Sequence, residues 1–317
     1  MTTAFVFPGQ GSQAVGMGQE LAAAFPAARD VYEEVDEALG FPLSKVIQEG
    51  PEAELTQTEN AQPAIMAASL AAFRVMEQEM GITLPGSAVC VAGHSLGEYS
   101  ALTAAGSFSI AECAMLLKTR GNAMQAAVPQ GKGMMAAIIG PELEAVQAMV
   151  QEARHQAGVS EIIEIANHNA PNQIVISGTA RGIEVAMQVA KEKGAKRALP
   201  LPVSAPFHCS MMAPAAMAMK EALANASISA PRVPVVANVV ADYVDDPDVI
   251  RQLLVEQVTG MVRWVDSVLA MQARGITRVV EIGHGNVLAG LIKRIAPEIE
   301  TVNIAAPKDL ETFSKAA

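Results

Sequence analysis

Short apolar runs alternate with helical stripes along the first 130 residues. Ala4 to Phe7 is wholly apolar and stops at Pro8-Gly9, the length and ending of a buried strand. Gln13 to Phe25 reads as a helix, and Ala27 to Leu39 as another. Ala61 to Met80 carries Met66, Leu70 and Phe73 at helical spacing and predicts a long helix. Ala88 to Ala92 reads as a second buried strand. It runs into Gly93-His94-Ser95-Leu96-Gly97, with a helix from Glu98 onward and a further helix over Ile110 to Ala127. Strands that alternate with helices in this way predict an α/β fold around a largely parallel sheet.

The rhythm changes at Gly131. Met134 to Ile139 reads as strand, Pro141 to Ala157 as helix, and Ile162 to Ala166 and Ile174 to Ser177 as two strands. Arg181 to Lys193 reads as helix and Ala198 to Leu201 as strand. The order βαββαβ is ferredoxin-like. The pattern therefore predicts a small subdomain over residues 131–203, inserted into a large subdomain made of residues 1–130 and 204–317. The large part resumes with a strand at Val235 to Val239 and helices at Asp248 to Gln257 and Val262 to Gln272. A strand at Arg278 to Ile282 ends in Gly283-His284-Gly285, and a helix at Asn286 to Ile295 and a strand at Thr301 to Ile304 follow.

Composition narrows the setting. Half of the 317 residues are apolar and few are aromatic, so Ala, Val, Ile, Leu and Met must fill the core. The net charge of −11 argues against a nucleic-acid binder, which needs a basic face. Three cysteines, Cys90, Cys113 and Cys209, form no C-x-x-C and fit a reducing, cytoplasmic setting. No signal peptide is expected from the opening residues. No apolar run reaches the roughly 18 residues of a membrane span. No internal repeat is visible, and a monomer is expected.

Gly93-His94-Ser95-Leu96-Gly97 fits G-x-S-x-G between a strand and a helix. This pattern makes a sharp turn that exposes the serine oxygen, with the next backbone N–H facing the site. The alternative is an ordinary turn with a capping serine. A second glycine turn, Gly9-Gln10-Gly11-Ser12-Gln13-Ala14, fits the dinucleotide fingerprint G-x-G-x-x-A. That fingerprint needs a strand ending in an acid about 20 residues on. Arg29 to Glu34 reads as helix instead, so the turn is better used to bring the Gln10 N–H beside Ser95 as an oxyanion donor.

A serine nucleophile needs a base. His155 lies at a polar helix end, and His94 sits on the wrong side of the turn. His168 in an Asn-rich turn, His208 in a Pro-containing loop and His284 between glycines all remain open on spacing alone. In the helix from Ile110, Arg120 falls on the stripe of Cys113, Leu117 and Met124. A buried ion pair and a fork for a substrate carboxylate are both open readings.

Together these motifs are similar to those of malonyl-CoA:acyl carrier protein transacylases over nearly the whole chain. Phe7-Pro8-Gly9-Gln10-Gly11-Ser12-Gln13 resembles the family's opening motif and Gly93 to Glu98 its nucleophile motif. Arg120 stands at the family's distance in the next helix. Ala166-Asn167-His168-Asn169-Ala170-Pro171, Val175 to Gly178, Pro206-Phe207-His208, Gln257 before Trp264 and Gly283 to Leu288 complete the match. The resemblance implies an α/β-hydrolase-like large subdomain. It also implies Ser95 as nucleophile, His208 as base and the Gln257 backbone carbonyl as the group orienting His208. Gln10 and Leu96 N–H groups would form the oxyanion hole, and Arg120 would hold the malonyl carboxylate. His94, Asn167 and Phe207 are further pocket residues; Leu96 and Phe207 resemble the malonyl-selective versions of their motifs. His284 departs from the family, where many members have Pro.

The implied activity moves a malonyl group from malonyl-CoA to the phosphopantetheine thiol of acyl carrier protein, feeding fatty-acid synthesis. No cofactor, metal or nucleic acid is involved. A discrete polyketide-synthase acyltransferase and a serine thioesterase or hydrolase are the alternatives. An acidic carrier meeting an acidic enzyme needs a local basic patch. Lys191, Lys193, Lys196 and Arg197 form one candidate, and Lys293 and Arg294 another.

Overall fold

The computed structural model describes residues 1–316. Strand β1 (Thr3–Phe7) leads into turns, and α1 (Gln19–Ala24) follows. The expected helix from Gln13 is thus only its second half. Gly16 and Gly18 have φ of 87° and 73°, left-handed values that break a helix there. After α2 (Pro26–Leu39) come two short helices absent from the sequence reading, α3 (Leu43–Glu49) and α4 (Glu52–Leu55). Each starts just after a proline and is too short to show a period.

Helix α5 (Thr58–Met80) is buried on nearly every side, from Thr58 to Met76. Strand β2 (Cys90–Gly93) then feeds α6 (Gly97–Ala104), all of whose residues are buried. Helix α7 (Ile110–Ala127) begins at Ser109, whose side chain accepts the Glu112 N–H.

The middle of the chain forms β3 (Gly133–Ile139), α8 (Leu143–Ala157), β4 (Ile163–Ala170), β5 (Gln173–Thr179), α9 (Ala180–Glu192) and β6 (Arg197–Pro200). His168, expected in a turn, lies within β4, where it is buried. A 3₁₀ turn at Ser210–Met212 precedes α10 (Ala213–Asn225), also missed in the sequence. It is Ala-rich and buries only Ala215, Met219 and Leu223, a stripe too thin to stand out. The chain closes with β7 (Val235–Val236), β8 (Tyr243–Val244), α11 (Pro247–Glu256), α12 (Trp264–Ala273), β9 (Arg278–Ile282), α13 (Val287–Ile295), β10 (Glu300–Ile304) and α14 (Pro307–Ala316).

Six strands form one sheet in the order β10-β9-β1-β2-β7-β8, parallel except for the β7–β8 edge. Side chains alternate across it. Phe5 and Phe7 enter the larger core with α5, α6 and α7, while Ala4 and Val6 enter a second core with Trp264 and Met271. The other sheet is antiparallel, in the ferredoxin-like order β4-β5-β3-β6, with α8 and α9 closing its core. Strand β4 meets the segment before α12 where the His168 N–H donates to the Val262 carbonyl and the Val262 N–H to that of Ala166. Phe7 lies opposite Gly93 in the parallel register, so the loops after β1 and β2 sit side by side. In open parallel sheets, sites gather at these carboxyl ends of the strands. Among the described residues no helix is long and apolar enough to cross a membrane.

Candidate active site

Ser95 has φ of 53° at the turn from β2 into α6. A serine in this left-handed region carries strain of about 1–3 kcal/mol, which surrounding contacts must offset. Asn238 supplies them. Its Oδ1 accepts the Ser95 N–H at 2.8 Å, and its Nδ2 donates to the Gly93 carbonyl at 2.7 Å. Gly97 lets the turn press on β1: a β-carbon there would strike the Phe7 carbonyl and lie 2.8 Å from that of Pro8. Gly97→Ala is therefore expected to destabilise the chain by about 1–3 kcal/mol, the usual cost of overpacking. A urea unfolding midpoint equal to the parent's would contradict this contact.

The structure brings His208 to Ser95. Nε2 stands 2.8 Å from Ser95 Oγ, while Nδ1 faces the carbonyl oxygens of Gln257 at 2.9 Å and Gly260 at 3.1 Å. Two acceptors on one side place the proton on Nδ1 and leave the Nε2 lone pair for the serine hydroxyl. His208 also has positive φ, 56°, so both members of the pair sit on strained backbone. Burial, reinforced by the Arg120 charge, pulls its pKa down to about 3. The imidazole is thus neutral and able to accept a proton. The Gly260 carbonyl was not anticipated from the sequence, because a backbone acceptor has no residue signature.

The other histidines are placed elsewhere. His94 Nε2 meets Asn169 Oδ1 at 2.8 Å, and its ring lies beside Trp264. His168 is held in β4, His284 is half-buried between β9 and α13, and His155 is exposed on α8.

Arg120 is buried, yet among the described residues no carboxylate lies within salt-bridge distance of it. Its donors meet neutral oxygens: Nη1 to Gln62 Oε1 at 2.7 Å, and Nη2 to Gln257 Oε1 at 2.9 Å and Ser95 Oγ at 3.1 Å. Nε has no partner among the described residues. Of the two sequence readings for Arg120, the direct buried ion pair is the one this geometry removes. Gly121 makes the placement feasible, since a β-carbon there would lie 2.8 Å from the Thr58 carbonyl where α7 crosses α5.

The nearest acid in this network, Glu98, is buried and joined to Arg120 only through Gln257. Burial pushes its pKa up to about 7, against the hydrogen bonds from Gln257 and Asn238 and the Arg120 charge. Glu98 stood in the nucleophile motif without a role. Asn238 and Gln62 carried no sequence signal, since single amides are common.

Ser95, His208 and Arg120 open into a cavity of about 550 Å³ that Gln10, His94, Asn167 and Phe207 also line. The Gln10 and Leu96 N–H groups donate to no group among the described residues. Leu96 precedes the first turn of α6, where the helix dipole favours negative charge. A neutral base on a strained serine, the unpaired backbone N–H of the next residue and an uncompensated buried cation can together acylate the serine with a group that carries its own anion.

A strand-turn-helix serine with a carbonyl-held histidine, beside a ferredoxin-like sheet, defines a serine acyltransferase. The chain belongs to the acyl transferase domain family, whose model matches residues 4–313. It is 45% identical over 308 residues to the malonyl CoA-acyl carrier protein transacylase of Bacillus subtilis (strain 168), covering 97% of this chain and 95% of that protein. The crystal structure of an acyl-carrier-protein S-malonyltransferase from Bartonella henselae superposes with a TM-score of 0.96 at 50% identity, over 100% of this chain and 99% of that one. A malonyl-transacylase solved in complex with its type II PKS acyl-carrier protein superposes at 0.95 with 40% identity, over 100% of both chains.

Proposed function

We propose that this acyltransferase moves a malonyl group from malonyl-CoA to the phosphopantetheine thiol of acyl carrier protein through an ester on Ser95. The observation that carries the malonyl reading is Arg120, a buried guanidinium beside the Ser95 oxygen with no carboxylate of its own. The names of its relatives point to the same donor and acceptor.

In the first half-reaction Ser95 Oγ attacks the thioester carbon and its proton passes to His208 Nε2. The oxyanion rests on the Leu96 and Gln10 N–H groups, each worth about 3 kcal/mol. The C–S bond breaks, and the leaving sulfur takes the proton back from His208. In the second half the carrier's thiol gives its proton to His208, attacks the ester carbon and releases the Ser95 oxygen, which is reprotonated. The Gln257 and Gly260 carbonyls hold the ring throughout and do the orienting that an acid does in other serine enzymes.

The division into a large subdomain of residues 1–130 and 204–317 and a small one of 131–203 fits this reading, since the cavity takes residues from both. Lys191, Lys193, Lys196 and Arg197 are all exposed, as are Lys293 and Arg294. Either group is a candidate surface for an acidic carrier.

Incubation with malonyl-CoA alone is expected to add one malonyl group to the intact mass, with no such adduct in Ser95→Ala. Release of malonic acid at the pace of thioester loss, with no adduct, would instead mark a hydrolase.

A further inference from the structure

The motif that carries the nucleophile also carries Glu98, an acid to which the transfer steps give no task. It lies in the first turn of α6 and is buried. Among the described residues it pairs with no cation at salt-bridge distance. Instead a single oxygen, Oε2, accepts two hydrogen bonds, from the Asn238 backbone N–H at 3.1 Å and from Gln257 Nε2 at 2.8 Å.

Those two donors hold the site from opposite sides. The Asn238 side chain spans the turn, accepting from Ser95 and donating to Gly93. Gln257 donates its other Nε2 hydrogen to the Ser95 carbonyl at 3.0 Å, while its Oε1 accepts from Arg120 and its backbone carbonyl from His208. Both Nε2 hydrogens are thereby used. A flipped amide would set its oxygen against two acceptors and its NH2 against a guanidinium. Glu98, with the Ser95 carbonyl and the guanidinium itself, thus fixes which end of Gln257 faces Arg120. It touches neither the Ser95 hydroxyl nor the His208 ring, so it acts through its partners.

We propose that Glu98 is a positioning residue, whose Oε2 joins Asn238 to Gln257 and so holds the Ser95 turn, Arg120 and His208 in one register. The role rests on the reading of Ser95 as the nucleophile. It calls for an oxygen at that place and not for a charge.

Three variants separate these. Glu98→Met keeps the volume and removes the oxygen, Glu98→Ala removes it by a second route, and Glu98→Gln keeps an oxygen without charge. Two rates are read: malonyl ester formation on Ser95, and phosphonylation of Ser95 by a fluorophosphonate, which needs only the serine and its base. Glu98→Met and Glu98→Ala are expected to lower both rates by about 100-fold, as a misplaced reacting group does, with malonyl-CoA KM changed less than about threefold. Glu98→Gln is expected to keep both rates within about threefold of the parent, since an amide oxygen accepts the same two bonds. A Glu98→Gln chain as slow as Glu98→Met, or a Glu98→Met chain as fast as the parent, overturns the proposal. If the parent forms no malonyl ester while phosphonylation keeps this order, the substrate reading fails and the role of Glu98 stands.

Discussion

Replacing His208 by Ala is expected to slow malonyl ester formation on Ser95 by about 10²–10⁴-fold at neutral pH, the contribution of a positioned general base. His208 Nε2 is the one basic nitrogen within hydrogen-bond reach of Ser95 Oγ among the described residues. The same loss in His284→Ala, with His208→Ala near the parent, would move the base elsewhere. The pH profile adds an independent mark. As the proposed base His208 works in its neutral form, and its pKa is lowered to about 3. A lowered pKa keeps the base deprotonated as pH falls through the usual histidine range, so activity is retained there and lost only further down. Glu98, by contrast, is raised to about 7 and so titrates near neutrality. In the Glu98→Gln chain, kcat/KM for malonyl-CoA is therefore expected to stay flat from about pH 8 down to about pH 5. An inflection near the ordinary histidine value in that chain would mean that the His208 ring is solvated in the working enzyme.

What the sequence made legible follows the range of each signal. The strand Thr3–Phe7 and the turn around Ser95 are written locally, in an apolar run and a glycine pair. Arg120 showed itself because a cation on an apolar stripe is costly and so conspicuous. His208 lies 113 residues from Ser95, and no spacing rule joins the two; only the resemblance ranked it above His168 and His284. The groups that hold it, the Gln257 and Gly260 carbonyls, exist at every residue and become acceptors only through tertiary placement. Asn238 and Gln62 were hidden for a related reason: an amide becomes informative only when both of its ends are seen to be used. The helices that were missed, α3, α4 and α10, are short or Ala-rich, and tertiary contacts rather than a strong apolar stripe fix them.

Removal of the Arg120 guanidinium is expected to change which acyl group the enzyme prefers. In the free chain its donors rest on the neutral oxygens of Gln62, Gln257 and Ser95. A malonyl carboxylate offers two charged oxygens in the planar geometry that a guanidinium matches, and so competes well for those donors. Truncating one partner of a buried, hydrogen-bonded charge pair costs about 2–5 kcal/mol. Arg120→Ala is therefore expected to lower kcat/KM for malonyl-CoA by about 30- to 4,000-fold, at 1.4 kcal/mol per decade. Acetyl-CoA has no carboxylate to lose and should fall far less. Lysine offers a point charge without the fork, so Arg120→Lys is not expected to restore the malonyl rate. The ratio of the two substrates' kcat/KM is the decisive quantity, rather than either rate. Arg120 also donates to the Ser95 oxygen, so its loss disturbs the nucleophile for every thioester alike, and that shared effect cancels in the ratio. What survives the division is recognition of the second carboxylate. A malonyl-to-acetyl ratio equal to the parent's would therefore remove Arg120 from substrate binding even if both rates collapsed.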